Sequence, residues 1–202
     1  MINKVSLLVF YGVIMFSCQM KSDENIDFGK LRAFNENSIL QAVIEIPAGT
    51  NHKIEYDYGS NSFKNDMRNG MERVITFLPY PGNYGFIPGT ISDSNLGGDG
   101  DALDVLILSE ALKTGLVKEI KVVGLLKLID NNEEDFKVIA IPYKKQERII
   151  DVENFKQLEE KFPELIKIIE QWFLSYDKTD PARIEGWGDE IEANNYIEKS
   201  IK

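Results

Sequence analysis

The chain has 202 residues, 43% apolar and 28% charged, a composition that fits one globular domain and excludes a wholly disordered polypeptide. Its 33 acidic against 23 basic residues oppose the phosphate neutralisation that supplies most nucleic-acid affinity, so no DNA or RNA partner is expected. One cysteine and one histidine exclude a disulfide framework and a structural zinc site, which leaves magnesium, calcium or manganese, held by oxygen.

The chain opens MINKVSLLVFYGVIMFSCQMKSDEN: basic Lys4, an uncharged apolar run over 5–16, then Ser17 and Cys18. This is the layout of an export signal, and the run is too short to cross about 30 Å of hydrocarbon as a permanent helix. The lone cysteine behind a small residue matches a bacterial lipoprotein cleavage site, although Phe16 stands where such sites usually carry a smaller side chain. The expected organisation is a signal peptide over 1–17, lipidation at Cys18, a polar tether over 18–37 and one domain over 38–202. The expected location is the cell envelope, periplasmic or membrane-anchored, with membrane contact through the N-terminal lipid alone. Were 5–16 not a signal, the location would be cytoplasmic. Loss of residues 1–17 removes only Lys4 among the charges, leaving 22 basic against 33 acidic residues.

From residue 39 to 142 short β-type runs alternate with turn residues: ILQAVIEIP, KIEYDY, RVITFLPY, LDVLIL, IKVVGLLKLID and DFKVIAIP. Their brevity and spacing predict a small closed barrel. After Asp151 the period becomes 3.6, with Phe155, Leu158, Phe162, Leu165, Ile169 and Trp172 on one core face and Pro163 opening a second helix. A last helix follows GWGDEIE, where Asp189 caps and Glu192 stands three residues on. The predicted architecture is mainly β with flanking helices, α+β in class.

Charge collects at particular points. Strand alternation places Lys53, Glu55 and Asp57 on one face of KIEYDY, and Asp135 and Lys137 above Ile139 and Ile141 in DFKVIAI. In KLIDNNEEDFKV, closing a hairpin over 131–134 would oppose Asp130 to Asp135, where like charges are destabilising unless a cation intervenes. DGDALD crowds Asp99, Asp101 and Asp104 around Gly100, whose missing Cβ permits a tight loop. Three carboxylates converge on a small volume only around something positive, and a hard divalent ion fits. Asp93, Asn95, Gly98 and Asp104 roughly follow an EF-hand loop, but β-type sequence follows them where a helix is required. Lys53, Arg73, Lys137, Tyr80 and Tyr84 are donors suited to phosphate oxygens. No Walker A loop or GxGxxG is present, so a small free phosphate compound is favoured over a nucleotide.

The segments VIEIPAG, KIE, PYPGNYGFIPGT, DGDALDVLIL, VVGLLKLIDNNEEDFKVIAIP and EGW together resemble the soluble family I inorganic pyrophosphatases, from about Leu40 to the C-terminus. The resemblance implies an OB-type five-stranded closed barrel with C-terminal helices. It implies hydrolysis of pyrophosphate to two phosphates by a metal-activated water, with no covalent intermediate and several magnesium ions, for which manganese or other divalent ions substitute. By position, Asp99, Asp104 and Asp135 resemble ligands of one tight magnesium, with Asp104 bridging to a second. Asp130 and Asp135 resemble ligands of a metal that arrives with substrate. Glu55 resembles a holder of a further metal, with Glu45 its partner through water. Lys53, Arg73, Lys137, Tyr84 and Tyr176 resemble the phosphate-binding set, with Tyr80 nearby, and Asp101 resembles the base for the nucleophilic water. Where the family usually shows Tyr-Lys, this chain reads Tyr176-Asp177-Lys178, and Lys178 is expected to take the vacant role, with Arg183, or no residue at all, the alternative. Bacterial members are commonly hexameric, so a homo-oligomer is expected. The competing readings are an exported calcium-binding domain and an OB-type nucleic-acid module, which the acidic balance disfavours.

Overall fold

The computed structural model describes residues 26–179 and 182–202. The expected signal peptide, Cys18 and the first residues of the tether lie outside them. Among the described residues there are eleven strands: β1 Gln41–Ile46, β2 Ile54–Asp57, β3 Ser62–Asn65, β4 Met67–Arg68, β5 Met71–Glu72, β6 Asn83–Phe86, β7 Asp104–Ile107, β8 Val117–Asp130, β9 Glu133–Glu134, β10 Lys137–Pro142 and β11 Ala182–Gly188. Three α-helices complete the described fold, α1 Phe155–Lys161, α2 Pro163–Ser175 and α3 Glu190–Lys199. Among the described residues no helix is long and apolar enough to cross a membrane.

Five strands close on themselves. β1 pairs with β6, β6 with β7, β7 with β10, β10 with β8, and β8 returns to β1. Only the β7–β10 pair is parallel. This ring is the expected five-stranded barrel, and closure removes the exposed edges that would otherwise template aggregation. It differs in membership from the sequence reading. NYGF, not recognised as a strand, is barrel strand β6, and Gly85 there is required because a Cβ would lie 1.9 Å from the Val43 carbonyl oxygen of β1. KIEYDY forms β2, which pairs with β3 outside the ring.

RVITFLPY is not a strand. Val74 makes one isolated bridge with His52, and the carbonyls of Leu78 and Pro79 accept from Trp172 Nε1 at 3.0 Å each, so the end of the segment is tied to a side chain of α2 instead. Residues 26–37, the distal part of the expected tether, pack on the domain. Phe28 is buried edge-on against Tyr56 and Phe63, Ala33 is buried, and Phe34 bridges Leu40.

The barrel strands read as unbroken apolar runs because both of their faces are covered. Val105, Ile107, Leu125, Val138 and Ala140 join one buried cluster, which α3 closes with Ala193 and Ile197. The alternate residues Leu106, Leu126, Leu128 and Ile139 join another, with Leu158 of α1 and Ile169 and Trp172 of α2. Burying each large side chain of this kind contributes roughly 1.5–3 kcal/mol. Pro163 occupies the first turn of α2 and Asn154 caps α1, so the two helices break where the sequence predicts. Asp189 Oδ1 accepts from the N–H groups of Ile191 and Glu192 and starts α3, while the Glu192 carboxylate pairs with Lys127 at 2.6 Å.

Candidate active site

The face that buries Leu106, Leu128 and Ile139 changes character at one end of the barrel. Two residues before Leu106 on that face comes Asp104, two before Ile139 comes Lys137, and two after Leu128 comes Asp130. β7 and β10 run parallel, and β8 runs antiparallel to β10, so these three positions arrive at the same end. Tyr84 of β6 pairs opposite Leu106 on the same face. One alternation thus builds both the core and the floor of a cleft.

Other elements form the walls. Backbone bonds from Lys53 N to Arg73 O, Arg73 N to Asp66 O and Asp66 N to Lys53 O, at 2.9, 2.8 and 2.7 Å, hold Lys53, Asp66 and Arg73 side by side. The ladder register shifts between Ile44 and Ile46, so Glu45 is the extra residue of a β-bulge, and the bulge turns its carboxyl into the cleft. Gly100 takes φ of 88°, and Asp101 N donates to Asp99 Oδ1 at 2.9 Å, which fixes the DGD turn at the rim.

The cleft, about 240 Å³, is lined by Glu45, Lys53, Glu55, Arg73, Tyr80, Tyr84, Asp99, Asp101, Asp104, Asp130, Asp135, Lys137 and Tyr176. Of the residues assigned from sequence to metal, substrate or proton transfer, all but Lys178 meet there. Lys178 is exposed and lines a neighbouring cleft with Arg68, Met71 and Phe77, which corrects its expected placement. The side chain of Asp177 turns to Arg68 and Arg73, and Lys178 follows it away from the polar cleft.

A second correction concerns the hairpin. Asn131 and Asn132 both take positive φ, 49° and 71°, and close a two-residue turn that opposes Asp130 to Glu133. Asp135 N bonds Leu128 O, so Asp130 and Asp135 are diagonal neighbours on one face, still sharing the cleft. Glu133, Asn131, Trp172 and Phe173 also line it, unassigned from the sequence. Glu133 becomes visible only if Asn-Asn is read as a two-residue turn.

The electrostatics are lopsided. Eight carboxyl groups, those of Glu45, Glu55, Asp99, Asp101, Asp104, Asp130, Glu133 and Asp135, face three cations, Lys53, Arg73 and Lys137. Burial, with the Asp104 and Glu55 charges adding to it, pushes Glu45 up to about 8 although its carboxylate accepts from Tyr56 N at 2.7 Å. Burial also raises Asp135 to about 6 despite its ion pair with Lys137, and the Asp104 and Asp99 charges act in the same direction. Asp101 is raised by desolvation and then by Asp99, Asp104 and Glu55. Lys137 is buried, which would favour its neutral form, but Asp104 at 2.5 Å and Asp135 outweigh that and keep it charged. Burial holds the Tyr176 hydroxyl protonated, at about 12, and Tyr80 and Tyr84 likewise well above the usual range.

This donor set fits hard divalent cations. It is all oxygen, carries excess negative charge, and leaves Asp130 Oδ1 buried without any hydrogen-bond partner in a chain where such atoms cost about 1–3 kcal/mol. Among the described residues no three carboxylates stand close enough to share one ion as placed, because the Lys137 ammonium lies between Asp104 and Asp135.

Known proteins with the same pattern identify the lineage. The profile of the inorganic pyrophosphatase family matches residues 42–202. The inorganic pyrophosphatase of Neisseria meningitidis serogroup B is 37% identical over 171 residues, 83% of this chain and 89% of its own. That of Sulfolobus acidocaldarius is 36% identical over 174 residues, 83% of this chain and 92% of its own. A crystal structure of an inorganic pyrophosphatase from Neisseria gonorrhoeae superposes with a TM-score of 0.71 at 33% identity, covering 86% of this chain and 96% of that one. The Thermus thermophilus enzyme superposes with a TM-score of 0.73 at 30% identity, covering 87% and 97%. With its barrel, its acid-lined cleft and a match that spans most of its length, this chain belongs to the inorganic pyrophosphatase family.

Proposed function

We propose that the chain hydrolyses inorganic pyrophosphate to two phosphates with divalent metal ions, magnesium foremost. The observation that carries this reading is the union, in one cleft, of eight carboxyl groups with Lys53, Arg73, Lys137 and three protonated tyrosines. The acids alone would repel a polyanion and the cations alone are too few to draw one in. A dianionic or trianionic ligand therefore enters with metal ions. Asp99 at the rim with Asp104, Asp130 and Asp135 below it would hold them, and Glu55 with Glu45 at the wall. Bound there, divalent ions supply a polarised water and neutralise phosphoryl charge.

The remaining work falls to side chains. Lys53, Arg73 and Lys137 donate to oxygens on which charge collects as the phosphoryl group moves. Tyr84 and Tyr176 stay protonated at neutral pH and donate hydroxyl hydrogen bonds to the same oxygens. Asp101 is exposed at the rim with its pKa raised by desolvation and by the neighbouring carboxylates, which suits a carboxylate that takes a proton from the attacking water. No side chain is required as a covalent carrier.

The test is release of inorganic phosphate from pyrophosphate by the purified chain, with magnesium and after chelation. Activity with magnesium and none after chelation is expected. An inert protein that nevertheless binds calcium would instead support the exported calcium-binding domain.

A further inference from the structure

The Tyr176-Asp177 junction puts an acid beside the cleft where the family resemblance leads one to expect a lysine, and its surroundings say what the acid does. Asp177 Oδ2 accepts from Arg73 Nη2 at 2.5 Å and from Arg68 Nη1 at 2.8 Å. Asp177 Oδ1 accepts from Thr179 N at 3.0 Å and from Thr179 Oγ1 at 2.6 Å. The side chain is only 10% exposed, and that of Arg73 13%. A carboxylate that merely shaped the loop would need only the Thr179 bonds; here the other oxygen is committed to two guanidinium groups. Arg73 and Tyr176 line both the polar cleft and its neighbour, whereas Asp177 and Arg68 line only the neighbour. Asp177 thus meets Arg73 from behind the wall and not from the substrate side. Below Arg73, Asp66 Oδ2 accepts from Nη1 at 3.4 Å. The ring of Tyr176 is stacked on Trp172 at 4.9 Å and 8°, which fixes the chain just before Asp177.

We propose that Asp177 is a positioning residue that clamps Arg73 from the rear and ties it to Arg68, so that it acts on phosphate indirectly, through Arg73. The inference rests on the pyrophosphate reading of the cleft. An arginine held at two points loses less side-chain freedom when a phosphoryl oxygen arrives, and its fork keeps the geometry that bidentate donation needs. Burial works against the ionised Asp177, but the Thr179 bonds and then the arginines outweigh it, so the carboxylate stays charged.

A competing role is separable by sign. If Asp177 only competes with substrate for Arg73, its neutralisation strengthens binding; if it positions Arg73, neutralisation weakens it. The experiment is a kinetic cycle of Asp177→Asn, Arg73→Ala and the double variant. Asp177→Asn preserves side-chain shape and the Thr179 contact, so the fold is retained, which thermal melting verifies. The single Asp177 change should lower kcat/KM by roughly ten- to a hundredfold, chiefly through a higher KM, and should add less than about twofold once Arg73 is absent. A lower KM in Asp177→Asn, or effects of the two changes that simply multiply, overturns the positioning role. Titrating the same four proteins with inorganic phosphate reads the cycle through binding. If the parent releases no phosphate from pyrophosphate, the functional reading falls, and the titration alone still decides whether Asp177 acts through Arg73.

Discussion

Two places in the molecule gather acids and bases, and their carboxyl groups respond in opposite ways. At the start of α1, Glu153 meets three cations, Lys121, Lys145 at 2.9 Å and Arg148 at 3.0 Å, and these hold it down at about 2. In the barrel-end cleft, acids outnumber bases, and Asp135 and Glu45 are driven up to about 6 and about 8, by burial first and by one another's neighbours after it. In the first cluster the carboxylate is fully satisfied by cations of the chain itself. The second is assembled at an electrostatic cost that the chain does not itself offset. Charge that the fold satisfies is structural, whereas charge that it concentrates and leaves partly unsatisfied needs something from outside. Asp130, with a buried oxygen lacking any partner, is the extreme case.

The largest effect that would sharpen this contrast comes from the rim. Changing Asp101 to Asn removes a proton acceptor while preserving shape, and Asp101 is exposed, so little packing is at stake. Turnover should fall by roughly two to four orders of magnitude, the usual contribution of general base catalysis, with the melting temperature held within a degree or two. A variant that turns over like the parent would remove Asp101 from the chemistry and leave it a loop residue.

Next in size is Asp130. Its unpartnered oxygen predicts that Asp130→Asn shifts the magnesium dependence of activity to higher concentration by roughly tenfold and reduces the rise in melting temperature that magnesium gives the parent. Superimposable magnesium titrations, by both activity and melting, would place Asp130 with the satisfied charges instead of the unsatisfied ones.

How much of this was legible in the sequence depends on the range of the interaction. The clustering of Asp99, Asp101 and Asp104 and the phase of Asp135 and Lys137 were readable because they are local and period-two alternation is local. The α1–α2 break was readable from Pro163 and the α3 start from Asp189. β6 was not, since NYGF is short and its glycine lowers strand propensity; Gly85 is there for the close approach of β1, a contact no local pattern encodes. RVITFLPY has the composition of a strand, but a tertiary hydrogen bond from Trp172 to its carbonyls decides otherwise. β11 was absent from the sequence reading altogether, since ARIEGWG is interrupted by a bulge between Ile184 and Gly186. In the site, Asp177 looked like a lost lysine because its partners Arg68 and Arg73 lie more than a hundred residues away.

The smallest effect tests the cluster whose carboxylate is satisfied. Glu153 has its folded pKa depressed from an ordinary 4.5 to about 2, so it contributes stability that is fully present above the unfolded value and is lost as pH falls through the folded one. Its side chain is 32% exposed, and solvent screening limits such a cluster to about 1 kcal/mol or less. Glu153→Gln should therefore lower the melting temperature at pH 7 by no more than about 2–4 °C. The gap between variant and parent should begin to close as pH falls below 4.5, because the parent then loses what the variant already lacks. A gap that stays constant from pH 7 to pH 3 would mean that Glu153 acts through its packing and not through its charge. The comparison with the cleft would then rest on Asp130 and Asp101 alone.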